Sequence, residues 1–332
     1  MPRIVAPVCS MDEIDSAIDA GADEIYFGIM PKKWMEQYGN ADFITRRQSE
    51  LTHFTTYDDL SEIIYRTNEH HCSATLVLNA RYSEKQLPHI FEILVQWEER
   101  GGQAVMVSDI ELMLWLNDKR SKLQKHLSVM AGIFNSQSVG FFEQFEITRI
   151  VLPREMAVSE IAQLIQNTNK KIEFETIVMF QKCPFIDSFC NFYHAYNYQP
   201  YMVAGYTGER KGLTVLESYD PCYEGHGCQM AFICDGTKVR HVDHNDMTTP
   251  YCAACSFDKL LKAGVQYFKI AGRGYPVELI NRSIRFVRSV MDSETRFRSQ
   301  DIDAEPQRFA DIKQCYKSAF VNPCRPECCY YP

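Results

Sequence analysis

The sequence predicts an α/β fold, a (β/α)8 TIM-like barrel with a long cysteine-rich insertion after strand 7. Three observations lead there. Short β-branched runs alternate with amphipathic stretches along the whole of the 332 residues, the rhythm of strands wound with helices. Eight such runs occur, the number that closes a barrel of this kind. An open doubly wound sheet is the structural alternative, because periodicity does not show closure. The cysteines, finally, are skewed: of thirteen, only Cys9 and Cys72 precede Cys183.

In chain order the expected strands are residues 3–7, 23–29, 74–79, 104–109, 126–131, 149–153, 172–179 and 268–271. Helical patterns lie between most of them, at 11–20, 57–69, 84–100, 110–118, 136–145 and 159–167, and 276–292 follows the last strand. Gly21-Ala22-Asp23 and Arg100-Gly101-Gly102 suit helix stops before strands. Two stretches break the rhythm. Residues 30–56 form a long polar loop after the second strand, with Pro31, Lys32, Lys33, Arg46 and Arg47. Residues 180–255 hold Cys183, Cys190, Cys222, Cys228, Cys234, Cys252 and Cys255. So long a connection reads as an insertion folded around something, at the C-terminal rim where such barrels place their chemistry. The barrel domain is therefore 1–293, insertion included. Residues 294–332 form a polar tail ending in Cys324, Cys328 and Cys329.

Composition is ordinary and globular, 45% hydrophobic and 23% charged, enough for a sizeable core. A net charge of −8 argues against a broad nucleic-acid-binding face, though a local basic pocket would still admit RNA. No run of about 18 apolar residues occurs, and the N-terminus has no signal-peptide pattern. The expected location is the cytoplasm, where thiols stay reduced. An odd, skewed cysteine count then favours metal or redox use over disulfides.

Four thiolates suit tetrahedral zinc or a cubane iron–sulfur cluster. Only Cys252-Ala253-Ala254-Cys255 has the tight C-x2-C spacing of a zinc knuckle. Cys183 and Cys190 form a C-x6-C pair, and such loose spacing tolerates a cluster, because separate loops can each deliver a ligand. Buried structural thiols are the plain alternative. Cys222, Cys234 and Cys255 compete as ligands.

Several segments carry a resemblance. They are Gly21-Ala22-Asp23-Glu24-Ile25-Tyr26-Phe27-Gly28, Ser128-Val129, Asn135, and Val151-Leu152-Pro153-Arg154-Glu155. A signature-like segment follows, Glu175-Thr176-Ile177-Val178-Met179-Phe180-Gln181-Lys182-Cys183 with Cys190, and then Phe268-Lys269-Ile270-Ala271-Gly272-Arg273. Over most of residues 3–290 the chain resembles the collagenase-like family catalogued among peptidases of unknown type, number 32. The resemblance implies a [4Fe-4S] cluster on Cys183, Cys190, Cys228 and Cys252. It also implies oxygen-independent hydroxylation of an RNA base or a small-molecule ring, as in the paired anaerobic ubiquinone-hydroxylation proteins, with prephenate as implied oxygen donor. A homologous family member as heterodimer partner is implied as well. A non-catalytic cluster-bearing subunit scaffolding such a partner is the second reading, and a peptidase the third. Gln181 and Lys182 stand where the family has small residues, and Ala271 where it has an acid.

A hydroxylase with a carboxylate donor needs guanidinium groups at strand ends. Arg154 and Arg273 follow strands 6 and 8 and would anchor a small anionic molecule, unless either pairs instead with a neighbouring acid such as Glu155. Glu175 lies inside strand 7, where an inward carboxylate is costly unless paired or catalytic. These three are the catalytic candidates. Tyr26 and Asn135 are secondary pocket candidates, with ordinary barrel packing the weightier account. Asp243-His244-Asn245-Asp246 has the donors to chelate a hard cation, but polar turns look the same, and no H-E-x-x-H motif occurs.

Overall fold

All eight expected strands form, and together they close on themselves. The computed structural model describes residues 2–38, 44–46, 52–169, 171–180, 186–189, 232–234, 237–240, 250–299 and 305–331. The strands are β1 (Arg3–Pro7), β2 (Glu24–Phe27), β3 (Ser73–Leu78), β4 (Ala104–Val107), β5 (Gln124–Leu127), β6 (Ile147–Val151) and β7 (Glu173–Met179). A short antiparallel pair follows, β8 (Phe232–Cys234) with β9 (Thr237–Arg240), and then β10 (Tyr267–Ile270). Strand order is β1-β10-β7-β6-β5-β4-β3-β2, and β10 pairs in parallel with both β7 and β1 to complete the ring.

The helices are α1 (Met11–Asp19), α2 (Lys32–Tyr38), α3 (Tyr57–Glu69), α4 (Leu87–Glu99), α5 (Ile110–Asp118), α6 (Ser136–Glu143) and α7 (Val158–Gln166). Three more complete the order: α8 (Phe257–Ala263), α9 (Val277–Ser299) and α10 (Glu305–Ala319). Local chemistry sets their ends. Thr56 and Asp59 form a capping box at the start of α3, each side chain accepting from the other's backbone N–H. Chain reversal after α1 and α4 uses Gly21 at φ +108 and Gly101 at φ +91, backbone that glycine adopts without a Cβ clash.

The strands bury both faces. Outward residues such as Ile4, Ile25, Leu76, Val105 and Phe268 meet Leu60, Ile63, Leu94, Trp97 and Phe257 of the helices. Inside the ring lies a smaller apolar cluster of Val5, Tyr26, Val77, Met106, Val151 and Tyr267. Each fully buried large side chain contributes about 1.5–3 kcal/mol, so the helix–strand layer dominates stability.

Several elements differ from the sequence expectation. β5 begins at Gln124 and ends at Leu127. The Ser128 side chain caps residues 129–131, accepting from Met130 N–H, and bends that apolar run into a 3-10 turn. β6 stops at Val151, two residues ahead of Pro153. The polar loop after β2 contains α2, which buries Trp34. Helix α8 supplies the helix ahead of the last barrel strand.

The expected boundary at residue 293 falls within α9, and residues beyond it pack against that helix. Phe286 of α9 meets Tyr316 and Phe320 edge-on, with ring centroids 5.6 and 5.4 Å away. The Tyr316 hydroxyl donates to Pro250 O at 2.9 Å. Among the described residues, no helix is long and apolar enough to cross a membrane.

Candidate functional site

The end of β7 organises the C-terminal rim. Beyond Met179, Phe180 adopts φ +60, a strained conformation for an aromatic residue. Hydrogen bonds hold it there: its N–H donates to Tyr251 O at 2.9 Å, and its carbonyl accepts from the Tyr330 hydroxyl. Residues 251–253 run back beside the strand, with Cys252 bridging Met179 and Ala253 N–H donating to Val178 O. On its other side Cys252 pairs with a strap from the C-terminal segment. Cys252 N–H donates to Cys328 O at 3.0 Å, and Tyr330 N–H donates to Cys252 O at 2.9 Å. The Tyr331 hydroxyl meets Thr176 Oγ1 at 2.8 Å and anchors the strap to β7.

Cys252 is consequently buried between strand and strap. Its thiol is pushed up to about 12, first by burial, with a hydrogen bond from Ala254 opposing and nearby Cys255, Cys329 and Cys328 contributing. Cys183, Cys190 and Cys228 lie outside the described residues, as do Cys222 and the 243–246 run. The expected set of four is thus represented by Cys252.

Arg154 follows β6 and is buried. Its Nε donates to Asp187 Oδ2 at 2.8 Å, and its Nη2 donates to Asp187 Oδ1. The expectation that a neighbouring acid could occupy this arginine holds, but the acid is Asp187 rather than Glu155. As placed, the fork ties the 187–189 turn to the rim. Burial raises Glu155 to about 7, with Asp187 adding to the effect and Arg154 opposing it.

Arg273 sits after β10, buried in a polar group that sequence reasoning missed. Its Nη2 donates to Thr45 Oγ1 at 2.6 Å; Thr45 also meets His53 Nε2 at 3.0 Å, and Thr52 meets His53 Nδ1 at 3.1 Å. Gly28 leaves the space for it: a Cβ there would strike Arg273 Nη1 and lie 2.6 Å from the His53 ring. Thr45, Thr52 and His53 come from the polar loop after β2, and only their burial sets them apart from its other polar residues.

Glu175 points into the barrel rather than to the rim. It is wholly buried, accepting from Lys269 Nζ at 2.8 Å and from Arg149 Nη1 at 3.1 Å. Arg149 also donates to both Glu24 oxygens at 2.9 Å, and Thr75 donates to Glu24 Oε1 at 2.7 Å. Two carboxylates and two cations balance, the cost a buried carboxylate otherwise carries is met by pairing, and Arg149 and Lys269 lie over the Tyr267 and Tyr26 rings. Tyr26 donates from its hydroxyl to Ile270 O, and Asn135 caps α6, so both serve the framework. His126 is buried beside this group, and its depressed basicity comes first from burial, then from Arg149.

The rim therefore offers a buried thiol clamped to a strand end, a buried arginine with threonine and histidine partners, and a second arginine tied by an aspartate. Arginines of this kind suit an anion, while among the described residues no three His, Cys, Asp or Glu side chains are arranged to hold a metal ion.

Comparison with known proteins places the chain in a family. A protein named as an uncharacterized protease of Methanocaldococcus jannaschii is 25% identical over 299 residues, covering 88% of this chain and 66% of the relative. A Porphyromonas gingivalis collagenase is 25% identical over 159 residues, covering 48% of this chain and 34% of the relative. The tRNA hydroxylation protein P of Escherichia coli is 25% identical over 185 residues, covering 55% and 37%. The chain thus spans less than two thirds of the length of these curated relatives. The sequence pattern of peptidase family U32 matches residues 9–323, and the chain belongs to that family.

Proposed function

We propose that this protein takes part in oxygen-independent hydroxylation, or a related modification, of a small-molecule ring or an RNA base, and that its rim holds a [4Fe-4S] cluster on Cys183, Cys190, Cys228 and Cys252. The observation that carries the reading is the burial of Cys252 at the end of β7, the strand that Cys183 follows by four residues. A thiol whose anion is disfavoured by burial and by other sulfurs fits a ligand, because a bound metal centre supplies the positive charge that the site lacks. Similarity to a protein named for tRNA hydroxylation supports the reaction class.

When bound, the cluster would supply one-electron redox chemistry. The chain's own groups do the rest. Arg273, positioned by Thr45, holds a small carboxylate donor, prephenate in the family-based expectation. Arg154 joins it only if Asp187 turns away. Glu175 acts through Lys269 and Arg149, keeping the barrel interior charge-balanced beneath the rim.

Two other readings belong to the same site. A scaffold subunit would bear the cluster for a homologous partner, and a peptidase is favoured by the names of two relatives.

Anaerobic purification tests the cluster: about four irons per chain are expected, as a cubane requires, and Cys183→Ser should lose them. Stoichiometric zinc without iron sinks the assignment. Mass spectrometry of tRNA nucleosides, quinones and peptides from deletion and parent cells identifies the substrate class. Restoration of the product by the cluster-free variant selects the scaffold reading.

A further inference from the structure

The end of the barrel opposite the rim holds a cavity that the rim chemistry does not use. Its walls come from the opening residues of barrel strands or the short turns just before them, including Arg3 of β1, Glu24 of β2 and Glu173 of β7. It is the N-terminal mouth, and its volume of about 410 Å³ falls within the range of about 300–1,000 Å³ usual for small-molecule sites.

Two buried polar atoms on these walls have no hydrogen-bond partner among the described residues: His126 Nε2 and Arg149 Nε. Glu173 Oε2 stands off Arg149 Nε at 3.5 Å, and its other oxygen accepts from the Tyr267 hydroxyl at 3.0 Å. His126 and Arg149 are register partners on the neighbouring strands β5 and β6, so they share the inner face side by side. Their hydrogen-bonding roles are opposite. The Thr75 hydroxyl donates to Glu24 Oε1 at 2.7 Å, so its oxygen is left to accept from His126 Nδ1 at 3.5 Å. That contact puts the imidazole proton on Nδ1 and leaves Nε2 a bare acceptor. Burial first, and then Arg149, keeps the ring neutral. Arg149 Nε is a donor. Buried groups are rarely left unpaired in this way.

We infer that this cavity binds a small hydroxycarboxylate, whose hydroxyl donates to His126 Nε2 and whose carboxylate accepts from Arg149 Nε. A donor and an acceptor on adjacent carbons thus meet an acceptor and a donor on adjacent strands. A plain carboxylate would leave His126 unpaired, and a plain alcohol would leave Arg149 unpaired. Charge agrees with a monoanion, because Arg3, Arg149 and Lys171 outnumber Glu24 and Glu173 by one along the walls. Glu24 is already occupied by Arg149 Nη1 and Thr75. The site lies apart from Arg273 and does not depend on a carboxylate bound at the rim.

The test uses the full chain with isotope-labelled histidine and arginine, followed by nitrogen NMR. Glycolate and lactate are the probes, with acetate and propionate as counterparts that lack only the hydroxyl. At least one hydroxy acid should shift the His126 Nε2 and Arg149 Nε signals saturably, and its counterpart should bind about tenfold more weakly, because a site built for a hydroxyl rejects the analogue without one. His126→Leu should erase that preference, read at Arg149 Nε. Ala104→Leu fills the cavity without removing a charge and should abolish both shifts. Lys171→Ala, exposed at the mouth, should weaken binding several-fold while sparing the fold. Gly28→Ala, which disturbs Arg273 at the rim, should leave the shifts intact, so that failure there and failure here are read separately. Absence of a saturable shift with either hydroxy acid means a cavity filled by water only and overturns the inference. Equal binding of the acids with and without the hydroxyl, or shifts that survive in folded Ala104→Leu, overturns it as well.

Discussion

Replacing Glu175 with glutamine isolates the buried charge network, since the side-chain volume barely changes. Glu175 neutralises Lys269 at 2.8 Å and shares Arg149, at 3.1 Å, with Glu24. Without it, two cations face one carboxylate in the barrel interior. Removing one partner of a buried pair costs about 3–5 kcal/mol. Glu175→Gln should therefore lose about 3–5 kcal/mol in urea unfolding, a large share of a typical stability of about 5–15 kcal/mol. Adding Lys269→Met restores the balance of Arg149 with Glu24 and should recover most of that loss. A single variant within about 1 kcal/mol of the parent would refute the reasoning. So would a double variant no more stable than the single one.

Three further outcomes follow from the geometry. His126 stays neutral in the fold below its ordinary value of 6.5, so acid protonates the unfolded chain first and stability falls as pH drops below about 6.5. Between pH 7.5 and 5.5 the parent should lose about 1.4 kcal/mol more than His126→Gln in urea titrations; equal losses would place the imidazole in contact with water. Gly28→Ala should displace Arg273 and His53, costing about 1–3 kcal/mol by overpacking and weakening carboxylate binding by calorimetry. Asp187→Ala leaves Arg154 buried without the carboxylate it grips. A loss of about 3–5 kcal/mol is expected, and one below about 1 kcal/mol would mean that water screens the pair.

The barrel was legible because parallel strands buried on two faces leave near-continuous apolar runs such as Ala-Val-Met-Val in β4. β5 was displaced because it opens on Gln124 and Lys125. Lys125 lays its stem against the helix layer and reaches Asn117 of α5 with its ammonium, which hydrophobicity does not reveal. Helix α10 was missed because charged residues surround a narrow stripe of Ile312, Tyr316 and, just beyond its end, Phe320. At the site, a strand-end arginine could be named from position alone. Its partner could not: Asp187 lies 33 residues from Arg154, and the pairing exists only once the chain has returned to the rim. The same holds for the strap, since no local pattern joins Cys252 to Cys328.

The strap also has a consequence in time. On a ribosome, Cys252 emerges before the residues that cover it, and about 80 further residues must be added before Tyr331 can reach Thr176. At ordinary elongation rates of about 5–20 residues per second, that interval is about 4–16 s. During it, the thiol that ends up clamped behind two tyrosines is open to delivery factors and to oxidants alike. Loading of the proposed cluster during translation would thus need no later opening of the finished barrel, whereas loading afterwards would first have to peel the strap away.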